Sequence, residues 1–138
     1  MEGGGRIELS LKRSRRKGTE EVKKIALQIA SNGDVTELDI SENSLKVLQT
    51  AVDGYIEAVD IFEDLTMWVN EEFLLRSEPD PNAIASVIFS MVGGSYAIHG
   101  TVVLTGGTDE EGNTLGLSPD IAEELKGFIV EAKAEMMI

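Results

Sequence analysis

The stretch Tyr55–Ala85 restricts the fold more than any other part of the chain. Tyr55, Ile56, Val59, Ile61 and Phe62 are followed closely by Leu65, Thr66, Met67, Trp68 and Val69. Both runs are dense in β-branched and aromatic residues, which suit a pleated, half-buried surface. Glu63-Asp64 between them suits a short connection, so the two runs read as neighbouring antiparallel strands. Leu65, Met67 and Val69 alternate with Thr66, Trp68 and Asn70, the two-residue period of a strand with unlike faces. A polar loop, Glu71–Asp80, leads to Asp80-Pro81. There Asp suits an N-cap and Pro the first helical position. Ile84, Val87, Ile88 and Met91 then recur at spacings of three and four, one apolar helical face. A strand pair closed by a helix in this way requires a sheet with helical cover.

The flanking sequence extends this pattern. Asn32-Gly33 is a strong signal for a two-residue hairpin turn. Such a turn pairs Ser31 with Asp34, and hence Ile29 with Thr36, Leu27 with Leu38 and Ile25 with Ile40, all on one face. Ser41 or Ser44 can cap a helix over 44–53, with Leu45, Leu48 and Val52 as its stripe and Gly54 just past its end. Gly93-Gly94-Ser95 breaks the next helix. Tyr96–His99 and Thr101–Thr105 read as a strand bent at Gly100. Ser118-Pro119 opens a last helix with Ile121, Leu125, Phe128 and Ile129 on its apolar face. Met136, Met137 and Ile138 form an apolar end, to be packed on the body or used in a homodimer. The order ββαββαβα predicts one α+β domain over residues 21–138. Its sheet would have about five strands, largely antiparallel, with the helices packed on one face.

Residues 1–20 read differently, as a flexible basic arm. Three glycines open it and KRSRRK spans Lys12–Lys17. Ile7, Leu9 and Leu11 alternate just before that cluster. Residues 1–18 hold six basic and two acidic residues, whereas the chain as a whole carries a net charge of −13. The body is therefore strongly acidic. Solubility is one use of such charge, adaptation to high internal salt a second, and imitation of a phosphate backbone a third. With no cysteine among 138 residues, disulfides and thiolate metal sites are excluded. No run approaches a membrane span and no signal-peptide core opens the chain, so a cytoplasmic location in a host cell is expected.

Few residues carry recognisable chemistry. His99 is the one histidine; alone it makes no zinc site, and as a base it would need a partner supplied by the fold. Asp109, Glu110, Glu111 and Asn113 have oxygens for a hard cation but lack EF-hand spacing, and a solvated turn explains them as well. Gly93-Gly94-Ser95 and Gly106-Gly107-Thr108 could line a nucleotide-like ligand, but neither is a phosphate-binding loop motif. No nucleophile, base and orienting group stand together. A non-enzymatic protein without cofactor or metal is the expectation.

The pieces Gly54-Tyr55-Ile56-Glu57, Val69-Asn70-Glu71-Glu72, Asn82 and Ala85 carry a resemblance. It continues with TVVLTG after Gly100, then Asp109-Glu110-Glu111-Gly112 and Leu117. Together they resemble a family of small phage, virus and plasmid proteins of unknown function, DUF3846. The likeness runs over residues 23–125 and implies a mobile-element origin, with no catalytic residue to carry over. The function expected is that of an accessory protein binding a host or viral macromolecule through an acidic surface, as an inhibitor or nucleic-acid mimic. The partner would be a protein, a nucleic-acid-binding one by charge. Asp60, Glu63 and Asp64 at the central hairpin tip and Glu71, Glu72, Glu78 and Asp80 in the following loop are the candidate contacts. Trp68 is the candidate apolar anchor, because tryptophan is enriched at interfaces. Two alternatives stand beside this: a small-ligand module at the glycine-rich loops, and nucleic-acid binding through Lys12, Arg13, Arg15, Arg16 and Lys17.

Overall fold

The computed structural model describes residues 23–74 and 80–136. The two β-dense runs form β3 (Ile56–Phe62) and β4 (Leu65–Asn70), joined by the two-residue turn Glu63-Asp64. A bulge between Asp60 and Phe62 twists the outer strand. The first hairpin is β1 (Ile25–Ile29) and β2 (Val35–Asp39). α1 (Ser44–Val52), α2 (Ala83–Ser90), β5 (Val102–Thr105) and α3 (Pro119–Met136) complete the expected order, with a short 3-10 turn at Glu71–Leu74. The described strands join one antiparallel five-stranded sheet, in the spatial order β2-β1-β5-β4-β3. The last strand in sequence thus lies in the middle of the sheet.

The helices divide between the two faces, a correction to the single covered face expected. α2 and α3 bury Ile84, Ile88, Ala122 and Ile129 against Leu27, Ile29, Met67, Val69 and Leu104. α1 buries Leu48 and Val52 against Ala26, Ile40 and Val103 on the other face. β5 is buried on both sides along its whole length. The signal for this was present in the sequence. Val102-Val103-Leu104 is a continuous apolar run without alternation, as expected of a strand covered on both faces.

The first hairpin also differs from its expectation, by one residue of register. Its loop has three residues, Ser31-Asn32-Gly33, and Ile29 pairs with Val35. The Gly33 N–H donates to the Ala30 carbonyl at 2.8 Å and the Ala30 N–H to the Asp34 carbonyl at 2.9 Å. Gly33 alone takes positive φ, +93°, while Asn32 uses its side-chain oxygen to accept the Asp34 N–H at 2.9 Å. A one-residue slip exchanges the faces. Leu38 and Ile40 consequently join Ala26 beneath α1 rather than Leu27 beneath α3.

α1 starts at Ser44 as expected and α2 two residues later than expected, and both have a different cap from the one read. Asn43, not Ser41 or Ser44, caps α1 by accepting the Lys46 N–H at 3.1 Å. Asn82, not Asp80, caps α2 by accepting the Ala85 N–H at 3.0 Å. Asn82 is fully buried. Its amide nitrogen donates to the carbonyls of Ile29 at 3.0 Å and Gly100 at 2.8 Å. One side chain thus joins the first hairpin, α2 and the approach to β5. At α3 the expected cap holds: Ser118 Oγ accepts the Ile121 N–H at 3.2 Å.

Candidate functional site

The acidic candidates are separated by the sheet. Asp60, Glu63 and Asp64 lie at the closed end of the outer hairpin β3–β4. Glu71 and Glu72 lie at its open end, where the Glu71 N–H donates to the Tyr55 carbonyl at 2.9 Å. Asp80 is at that same end of the sheet, its carbonyl accepting from the Gly100 N–H at 2.9 Å. At ~3.3 Å per strand residue the two groups stand roughly 20 Å apart. Between them Glu57 lies exposed on β3, on the opposite sheet face from Asp60, since Glu57 pairs with Val69 and Asp60 with Thr66. Glu78 lies outside the described residues, as do Lys12, Arg13, Arg15, Arg16 and Lys17.

Charge is unevenly distributed between the sheet edges. Residues 47–74 contain no lysine or arginine, but hold Asp53, Glu57, Asp60, Glu63, Asp64, Glu71 and Glu72, all exposed. At the opposite edge, β2, carboxylates meet lysines of α3. Lys126 reaches Glu37 at 3.1 Å and Glu123 at 3.4 Å, and Lys133 reaches Asp34 at 3.7 Å. The Glu37 hydrogen bond and charge hold the Lys126 ammonium above its ordinary pKa. The β2 edge is thus partly neutralised and the β3 edge remains anionic.

Trp68 sits half-buried beside the α1 cluster. Its indole N–H donates to Thr105 Oγ1 at 2.8 Å, and Thr105 Oγ1 donates to the Gly106 carbonyl at 2.8 Å. The alternation placing Trp68 opposite Met67 was legible; the helix covering that face was not. The large apolar side chains left open beside the acids are Tyr55 and Phe62, which are 70% and 55% exposed.

The glycine-rich loops use their glycines for close packing. A Cβ on Gly107 would lie 2.3 Å from the Glu63 carbonyl oxygen, and one on Gly106 2.4 Å from that of Gly116. A Cβ on Gly94 would meet the Phe89 ring. Gly106 N–H and Leu115 N–H are spent on the Leu115 and Gly107 carbonyls. Asp109 Oδ1 accepts the N–H groups of Glu111 and Asn113, both at 2.9 Å. The Asn113 bond leads in lowering its pKa. This carboxylate organises the turn. Among the described residues no three His, Asp or Glu side chains are grouped to hold a metal ion. His99 is half-buried and forms an isolated bridge with Pro81.

A cleft of about 350 Å³ opens between the closed end of the outer hairpin, the end of α2 and the first half of α3. Phe62, Met91, Leu125 and Phe128 contribute apolar walls, and among the described residues the charged ones lining it are the carboxylates Asp64 and Glu124. Phe62 and Met91 are more than half exposed. Neither His99 nor any glycine-rich loop lines it.

These features define a class: an acidic α+β protein with one antiparallel sheet, helices on both faces and an anionic outer hairpin. The family model described as a domain of unknown function (DUF3846) matches residues 23–129, and the chain belongs to that family. No curated protein and no solved structure matches the chain. No helix among the described residues is long and apolar enough to cross a membrane.

Proposed function

We propose that this chain is a non-enzymatic accessory protein of a virus or other mobile element that binds a basic host or viral protein along its outer hairpin. The observation that carries this reading is the charge asymmetry: seven exposed carboxylates between Asp53 and Glu72, with no lysine or arginine from residue 47 to 74. A partner that normally grips phosphates presents the complementary charge, which speeds encounter and sets orientation. Phe62 and Tyr55 are the apolar contacts beside those acids, in place of Trp68. Occupying a nucleic-acid-binding surface in this way inhibits it.

The test is affinity capture from host lysate over a salt series, with wild type and a triple variant, Asp60→Lys, Glu63→Lys, Asp64→Lys. These side chains are exposed, and Asp60 accepts from Thr66 Oγ1 at 3.5 Å, so a circular dichroism spectrum like that of wild type is required of the variant. Wild type should retain a discrete basic protein whose yield falls as salt rises, because exposed charges are screened. The variant should lose it. A captured protein whose yield is the same from low to high salt, or the same with the variant, refutes the proposal.

A further inference from the structure

We infer that the cleft between the outer hairpin and α3 is a docking site for the chain's own N-terminal segment, residues 7–17. Three observations support this occupant. The first is shape and polarity. The cleft is open and apolar, with Asp64 and Glu124 as its charged lining residues. Glu63 lies next to Asp64 in sequence and is exposed. Such a site suits alternating apolar side chains followed by cations. Residues 7–17, IELSLKRSRRK, supply Ile7, Leu9 and Leu11 and then five cations within Lys12–Lys17.

The second observation is where the tether begins. Lys24 leads into β1 at the same end of the sheet as the hairpin tip. Leu27 and Met67 both pair with Leu104, so Ile25 and Leu65 lie beyond it on the same side. The Ile25 carbonyl accepts the Leu117 N–H at 2.8 Å, beside the start of α3, and α3 supplies Ile121, Glu124, Leu125 and Phe128 to the cleft. From β1 to β3 is three strand spacings, roughly 14 Å. Six extended residues, 17–22, span up to about 20 Å. The tether is therefore long enough.

The third is electrostatic. Lys126, the lysine of α3 nearest this end, is bonded to Glu37 and Glu123, and among the described residues no lysine or arginine lines the cleft itself. A tethered cation cluster is present at an effective concentration on the order of millimolar, so weak contacts suffice. The docked segment would shield the acids at the hairpin tip, and an external basic partner would have to displace it. This inference needs no such partner: the capture experiment above can fail while this one succeeds, and the reverse.

The chain has no cysteine, so Ser10→Cys in the full chain gives a unique site for a nitroxide label and leaves Ile7, Leu9 and Leu11 intact. Methyl-labelled methionine provides the readout, because Met91 lines the cleft while Met136 packs near the far end of α3. The label should broaden the Met91 methyl signal well beyond that of Met136. The double variant Asp64→Lys, Glu124→Lys should restore Met91, as should high salt. Equal effects on Met91 and Met136, or broadening indifferent to the charge reversal, overturn the inference. So does broadening that appears when the label and the labelled methionine are on different molecules, since the site would then be filled by a second copy.

Discussion

Asn82 provides the sharpest test of how this fold is held together. It and Asn43 do the same local task, each capping a helix by accepting one backbone N–H. Asn43 is exposed and its amide nitrogen is not needed for the cap. Asn82 is fully buried and also donates to the carbonyls of Ile29 and Gly100. Asn43→Ala should therefore cost about 1 kcal/mol, the usual worth of a cap. Asn82→Ala loses a cap of about the same worth. It also strips a donor from two buried carbonyls, at about 1 kcal/mol each by the lower range for unsatisfied groups. The expected total is about 3 kcal/mol, a large share of a net stability of ~5–15 kcal/mol. Urea denaturation monitored by circular dichroism measures both, provided the slopes agree with wild type. At about 4 °C per kcal/mol for a chain of this size, the melting temperature should fall by roughly 4 °C for Asn43→Ala and roughly 12 °C for Asn82→Ala. Asn82→Ser is the control that keeps a cap and loses the bridge, and it should fall between the two. Equal losses for Asn82→Ala and Asn43→Ala would show that the bridge contributes nothing, and would refute the reasoning.

Three further outcomes follow from packing and charge. Gly107→Ala forces a methyl into the Glu63 carbonyl, whereas Gly127→Ala on α3 meets nothing within 4 Å; the first should destabilise by about 2 kcal/mol through overpacking, and the second should stabilise by up to ~1 kcal/mol through helix propensity, both read by thermal melts. Trp68→Phe should cost about 1 kcal/mol through the lost bond to Thr105, whereas no change in urea midpoint would mean that the indole is a free surface group. Asp109 is held below its ordinary pKa of 3.8, chiefly by the Asn113 N–H. A depressed folded value means that its stabilising effect is present above the ordinary value and is lost as pH falls through the folded one. The stability gap between wild type and Asp109→Ala should therefore be present at neutral pH and shrink on acidification below 3.8, and a gap that widens in acid would contradict this.

How much was legible depended on the range of the interactions. The Glu63-Asp64 turn, the Ser118 cap and the alternation of β4 are written in neighbouring residues, and each appears as read. Asn32-Gly33 announced a turn but not its length. A three-residue loop satisfies the same two residues with Gly33 alone at positive φ, and the competing registers differ only in which distant helix covers which face. Asn82 lay hidden behind Asp80-Pro81, because its value as a cap comes from carbonyls 53 and 18 residues away. The acidic candidates are near one another in sequence, and a six-residue strand separates them into two groups at its ends.

By itself the sequence determined the order of elements, the turns, most helix limits and the charge of each segment, because these depend on hydrogen bonds and side-chain periods within a few residues. Tertiary structure alone decided the rest. It placed β5 in the middle of the sheet, split the helices between two faces, packed a half-buried Trp68 beside the α1 cluster and gathered hairpin tip and helix into an acid-rimmed cleft. Those outcomes follow from strands far apart in the chain competing to bury apolar area, a contest that no local pattern records.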